Sequence, residues 1–193
     1  MIEWDRRSKW TEFKPNCVPQ DPRSRSGTTL HWTGSKGSEF HANHDQCLTS
    51  VAGIEEYQLN SPDYEYCAIE YNAVVCRHGR GIIGRGLAKR SGANGTAESN
   101  MTHGSILLLM GQADPLTATM KHAVRQAARE LSPLRPKDFV PHSKWVSTAC
   151  PGPEVRAWIA DGCPDPKVRA AMARLTEKIR NLRKRRREMR ERA

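Results

Sequence analysis

The sequence predicts a mixed α/β fold, a single central sheet flanked by helices, and three observations carry that expectation. β-rich runs at Thr28–Thr33 and Tyr66–Val75 and the apolar run Ser105–Met110 read as strands, the first two followed by turn residues. Helical periodicity separates them: Leu48, Val51, Ala52, Ile54 and Tyr57 share one stripe, and Leu116, Met120, Val124, Ala127, Ala128 and Leu131 another. Strands alternating with helices in one chain of 193 residues suit one domain with an appendage.

Taken in order, residues 1–27 are polar, hold Pro15, Pro19 and Pro22 and an Arg/Ser run, and read as an irregular N-terminal arm. The domain proper is expected over 28–162. Its first strand, Thr28 to Thr33, stops at Gly34-Ser35-Lys36-Gly37, and a helix runs from Asp45 to about Asn60, closed by Ser61-Pro62. A strand over Tyr66–Val75 turns at Arg77-His78-Gly79-Arg80-Gly81 into Ile82-Ile83, a hairpin. Residues 89–103 are rich in Gly, Ser, Asn and Thr and predict a long loop. After the apolar strand Ser105–Met110 and the helix to Leu131 come a Pro-rich segment, a loop over 142–152, and a short helix, Pro153–Ala160, with proline in its first turn. Residues 163–193 form a basic helical tail with Val168, Ala171, Met172, Leu175, Ile179 and Leu182 at three- and four-residue steps.

Charge divides the chain in the same way. The formal net charge is +10, and residues 165–193 hold 12 of the 31 basic and 4 of the 21 acidic residues. The body is nearly neutral and the tail carries the charge. The tail reads in two ways: a solvated helix whose first half packs on the domain, or an attractor for an anionic wall or membrane surface. Nucleic acid is not an expected partner, since no aromatic side chain interleaves the tail to stack on bases. No apolar run reaches the length of a membrane span. The start, Met1-Ile2-Glu3-Trp4-Asp5-Arg6-Arg7, lacks the order of a secretion signal, which predicts synthesis in the cytoplasm. Cys17, Cys47, Cys67, Cys76, Cys150 and Cys163 show no CxxC spacing, against a zinc ribbon or dense disulfide framework, and would stay mostly reduced there.

Two segments point to chemistry: His31 near the end of the first strand, and His142 to Gly152, where His142 and Cys150 share a loop. Imidazole and thiolate are preferred zinc ligands, and three protein ligands leave a fourth tetrahedral position open, as catalytic sites require. His41, His44, His78, His103 and His122 carry no comparable local argument; His44 reads as part of a helix start. A lone strand histidine or a cysteine before Pro-Gly is ordinarily inert, so the signal is weak without context.

The context is a resemblance. His142-Ser143-Lys144-Trp145-Val146-Ser147-Thr148-Ala149-Cys150-Pro151-Gly152 resembles the HxxxxxTxCPG signature of the type-2 N-acetylmuramoyl-L-alanine amidases, the family of the amidase-type phage lysozymes and the peptidoglycan recognition proteins. Ile69 to Gly86 resembles that family's tyrosine-containing hairpin, and His31 matches its first histidine. The resemblance spans about residues 28–161. It implies an amidase-like sheet fold with one zinc ion on His31, His142 and Cys150. Tyr71 and Thr148 would stabilise the oxyanion, and Arg85 and Asn94 would lie at the substrate. Departures are His78-Gly79 for the usual Asp-Gly, no glutamate before Gly84-Arg85-Gly86, and Asn94 where many relatives carry histidine.

The implied activity is hydrolysis of the amide between muramic acid and L-alanine in bacterial peptidoglycan. The expected role is that of a monomeric phage endolysin, made in the host cytoplasm and acting on the wall after release through a membrane pore. A peptidoglycan-binding module without catalysis is the alternative.

Overall fold

The computed structural model describes residues 2–62 and 65–191. Strands β1 (Trp4–Asp5), β2 (Gly27–Trp32), β3 (Ala73–Val75), β4 (Gly81–Ile83), β5 (His103–Leu108) and β6 (Phe139–Pro141) form one sheet in the order β1-β4-β3-β5-β2-β6. Among the described strands β3 and β4 pair antiparallel, as the hairpin predicts, and the other strands of the sheet pair in parallel. The helices are α1 (His44–Leu59), α2 (Ala97–Thr102), α3 (Ala118–Leu131), α4 (Pro153–Ala160) and α5 (Pro166–Glu191). The expected class, one mixed sheet with flanking helices, is the class observed.

Strand alternation divides the core in two. Leu30, Ala73, Val75, Ile106 and Leu108 face α3 and α4 together with Met120, Val124, Leu131, Val155 and Trp158. Val74, Ile82, Leu107 and Leu109 face the other way, onto Cys47 and Val51 of α1. His31 pairs in register with Leu107, as Val74 does, so it projects to the α1 side of the sheet.

The helices begin where their sequences allow. Asn43 caps α1 through a capping box with Gln46, and Thr117 caps α3 by accepting from the Met120 N–H at 3.1 Å. The inner face of α1 differs from the expected stripe: Cys47, Val51, Glu55 and Gln58 are buried, whereas Tyr57 is 81% exposed. Glu55 occupies that face because its carboxylate is compensated, accepting from Arg7 Nη2 at 2.8 Å and the Ile69 N–H at 3.0 Å.

Four other expectations change. The N-terminal segment read as an irregular arm contributes strand β1, whose Trp4 and Asp5 pair with Gly81 and Ile82. It is held further by the buried Arg25, which donates to the carbonyls of Leu87, Leu131 and Lys89. The strand expected over Tyr66–Val75 shortens to Ala73–Val75. Upstream of it the Asn72 side chain bonds Gly86, Lys89 and Ser105, so this segment is fixed by side chains rather than by a ladder. The loop over 89–103 contains α2, opened by a Thr96–Ser99 capping box. Finally, Cys17 and Cys67 form a disulfide, where reduced cysteines were expected, tying the N-terminal segment to the approach to β3.

The tail is helical as expected; its start meets α3, but the apolar stripe expected to pack its first half on the domain is exposed. Asp165 anchors the start, accepting from the Lys167 N–H at 3.0 Å and pairing with His122 at 3.0 Å. From 167 to 189 every residue is exposed, including Val168, Met172, Leu175, Ile179 and Leu182. No helix is long and apolar enough to cross a membrane among the described residues.

Candidate metal centre

His31 and His142 meet because of strand register. Thr28, Thr29 and Leu30 pair with Phe139, Val140 and Pro141, so the next step along β2 and beyond β6 sets His31 beside His142. Their ring centroids are 4.4 Å apart. Cys150, eight residues further on, returns because the loop closes on itself: the Ser143 N–H donates to the Cys150 carbonyl at 3.2 Å. Trp145 docks the loop on β2, donating from Nε1 to Thr29 Oγ1 at 3.1 Å. Arg156 of α4 braces it from behind, donating to the Thr148 carbonyl at 2.7 Å. Gly152 ends the loop at φ +83°, with the Trp32 ring so close that a side chain there would collide with it. The Cys150–Pro151 peptide bond is cis.

The ligand atoms of His31, His142 and Cys150 lie within 4.8 Å of one another. Cys150 Sγ is 3.8 Å from His31 Nδ1. Bonds of about 2.0–2.1 Å to nitrogen and 2.3 Å to sulfur put neighbouring ligands of a tetrahedral zinc roughly 3.3–3.8 Å apart, so this separation suits a shared ion. The donors suit it too. His142 Nε2, beside Gly95, is buried without a hydrogen-bond partner. The tautomer of His31 is fixed from behind. Asn94 Nδ2 donates to the carbonyls of Ser99 and His103, both at 3.0 Å, so its Oδ1 accepts from His31 Nε2 at 3.2 Å. That leaves the Nδ1 lone pair facing Cys150.

Electrostatics keep the histidines neutral and available. Burial, with His142 alongside, pushes His31 down to about 3, and burial also lowers His142. Burial pushes the Cys150 thiol up to about 11, although the Trp32 backbone and Arg156 oppose it. A divalent cation reverses that balance, because thiolate coordination displaces the proton.

Tyr71 stands at the rim, its ring edge-on to His31 with centroids 5.2 Å apart. It precedes β3 rather than lying in it, and its carbonyl accepts from the Arg85 N–H at 2.7 Å. Burial and the nearby Glu70 and Cys150 hold its phenol well above the usual range, hence protonated. Thr148 is half-buried and its Oγ1 accepts from the Cys150 N–H at 3.2 Å, leaving the hydroxyl proton free to donate.

Two residues expected at the substrate have other places. Asn94 is fully buried with its amide engaged within the protein, so it stands behind His31 instead of against a ligand. Arg85 is 7% exposed, and its guanidinium donates to the carbonyls of Ile69 at 3.1 Å and Ala68 at 3.3 Å, supporting the segment that presents Tyr71. The bracing by Arg156 escaped the sequence reading, since a lone arginine on a short helix gives no signal for it.

No protein-family model matches the chain, and no curated protein does. Solved structures do. The chain is similar to a bumblebee peptidoglycan recognition protein, PGRP-SA, with TM-score 0.69 and 17% identity over 83% of this chain and 95% of that one. Wild-type Drosophila PGRP-LB gives TM-score 0.68 and 16% identity over 83% and 94%. A human relative, PGRP-IβC, solved in complex with glycosamyl muramyl pentapeptide, gives 0.64 and 20% over 80% and 92%. The chain therefore has the fold of the peptidoglycan recognition proteins.

Proposed function

We propose that this protein is a zinc-dependent N-acetylmuramoyl-L-alanine amidase, cleaving the bond between muramic acid and L-alanine in peptidoglycan. The observation that carries the reading is the convergence of His31, His142 and Cys150, whose ligand atoms lie within 4.8 Å of one another. Structural neighbours solved with a muramyl pentapeptide and with tracheal cytotoxin support the substrate class.

His31, His142 and Cys150 would hold the ion, which supplies a Lewis acid for the scissile carbonyl and a water-derived nucleophile at neutral pH. Asn94, by accepting from His31 Nε2, would leave the Nδ1 lone pair for the ion. Tyr71, neutral and adjacent, donates its phenolic proton to the oxygen that gains charge as the amide carbonyl becomes tetrahedral. Thr148 is a second donor to the same oxygen, held by its bond to the Cys150 N–H. The proposed biological role is host lysis by a phage, with the exposed basic helix α5 drawing the enzyme to an anionic surface.

The test is release of L-alanine amino termini from purified cell walls, with zinc content measured in parallel. His142→Ala and Cys150→Ala are expected to lose cleavage and one zinc per chain together. Wall solubilisation by Cys150→Ala at the parent rate overturns the reading; wall binding without cleavage by the parent favours a binding module.

A further inference from the structure

A second group of donors lies apart from the amidase site and shares no residue with it: His44, Cys47, Cys76 and His78, whose ligand atoms also lie within 4.8 Å of one another. Two local structures present them. His44 opens α1 and Cys47 follows three residues later, on the same face one turn on. Cys76 directly follows β3, and His78 sits in the tight turn closed by the Gly79 N–H on the Cys76 carbonyl at 3.0 Å, with Gly79 at φ +77°. The turn meets the helix N-terminus, where partial positive charge favours thiolate.

The distances are those of a coordination shell. His78 Nδ1 is 3.5 Å from Cys47 Sγ and 3.6 Å from Cys76 Sγ, and His44 Nδ1 is 3.4 Å from Cys76 Sγ. A tetrahedral zinc with nitrogen and sulfur ligands sets such pairs roughly 3.3–3.8 Å apart. One imidazole nitrogen equidistant from two sulfurs faces a common point rather than either thiol alone. Both cysteines are fully buried and free, and sulfur is a weak hydrogen-bond partner for imidazole, so the cluster is poorly satisfied without an ion.

The surroundings complete the arrangement. His44 Nε2 lies 2.7 Å from Asp5 Oδ2, which fixes its proton on Nε2 and leaves Nδ1 as the donor atom. Asp5 is 1% exposed and also accepts from Arg80 Nε and Nη2, both at 2.9 Å, and from Lys9 Nζ at 2.7 Å. Through Asp5, strand β1 is locked to the same cluster.

The geometry points to a structural Cys2His2 zinc site at His44, Cys47, Cys76 and His78 that clamps α1 to the β3–β4 turn. All four positions are protein donors, so the site is closed and supplies stability rather than chemistry. Binding displaces the protons of both thiols, and two thiolates balance the charge of the ion. The sequence carried the signal as the spacings His44-x2-Cys47 and Cys76-x-His78, which fall outside CxxC.

The experiment is native mass spectrometry of the full chain purified without chelator, beside Cys150→Ser, which empties the amidase site and leaves this cluster untouched. The expected result is two zinc ions in the parent, one per cluster, and one in Cys150→Ser. Cobalt loaded into Cys150→Ser is expected to show tetrahedral absorption with charge transfer from two thiolates, and Cys76→Ser to show zinc only at the amidase site. A metal-free Cys150→Ser overturns the inference and leaves the amidase reading intact, as does a parent chain whose mass shows Cys47 and Cys76 joined in a disulfide. One zinc in the parent that persists in Cys150→Ser overturns the amidase site instead.

Discussion

Asn94 Oδ1 sits 3.2 Å from His31 Nε2, and the Asn94 amide nitrogen is held by two carbonyls, so this asparagine can only accept. Its identity thereby sets which imidazole nitrogen of His31 faces the metal centre. Removing a partner of this kind ordinarily costs about 10–100-fold in metal affinity or activity. Asn94→Leu is therefore expected to weaken zinc at the proposed amidase site by about that factor, measured by competition with a chromogenic chelator. Asn94→Asp keeps an acceptor and is expected to retain tighter binding than Asn94→Leu. Equal affinity in parent and Asn94→Leu would show that the tautomer is set by something else.

Tyr71 makes a different prediction, because it lies beside His31 without being a ligand. Tyr71→Phe keeps the ring and removes the proton donor. Loss of one oxyanion donor costs about 10²–10³ in kcat, and zinc content is expected to stay at the parent level. A Tyr71→Phe enzyme of parental kcat would remove the phenol from the mechanism.

How far the sequence reveals this arrangement depends on how local each signal is. The helix Pro153–Ala160 is legible to the residue because proline in the first turn and glycine before it mark the start. His31, His142 and Cys150 are legible as a set through the motif around Cys150, although only the β2–β6 register explains their meeting. Asn94 and Arg85 are misplaced by the sequence because burial, unlike residue type, is a long-range property. The strand over Tyr66–Val75 is overcalled for a similar reason: its apolar residues pack, but Asn72 and Arg85 secure the backbone in place of a partner strand. Cys47 and Cys76 escape because the donors of one cluster are split between a helix and a turn.

Asp114 supplies a stability prediction with a definite sign. Burial pushes its carboxyl up, but hydrogen bonds from Ser38, Gly111 and Glu39 and the charge of Arg77 outweigh burial, so its pKa is lowered. The Gly111 and Glu39 N–H groups donate at 2.8 and 2.6 Å, closing the loop after β2 onto the end of β5. Asp114→Ala leaves those donors unpaired, at roughly 1–3 kcal/mol for each group that stays buried. A lowered folded pKa contributes stability that is complete above the unfolded value, 3.8, and is lost as pH falls through the folded one. The Tm difference between parent and Asp114→Ala should thus be constant near neutrality and shrink below about pH 4. A difference that grows on acidification would contradict the assigned hydrogen bonds.

The exposed helix α5 yields the last prediction. Because residues 183–189 are exposed, cutting the helix at 183 is not expected to disturb the sheet or either donor cluster. Deleting residues 183–193 removes seven basic and two acidic residues. Near an anionic surface each engaged Lys or Arg contributes about 1 kcal/mol, so two engaged residues already give roughly a thirtyfold change in affinity. Exposed charges are screened beyond about 8 Å at physiological ionic strength, so binding of the parent to whole cells should weaken steeply with added salt, whereas the truncated chain should bind weakly at every salt level. Cleavage of a soluble muropeptide should be the same for both, since the donors of the proposed amidase site, His31, His142 and Cys150, lie within residues 31–150. Equal binding of the two forms at low salt would assign α5 no part in surface attraction, and unequal cleavage of the soluble substrate would mean that the helix reaches the site.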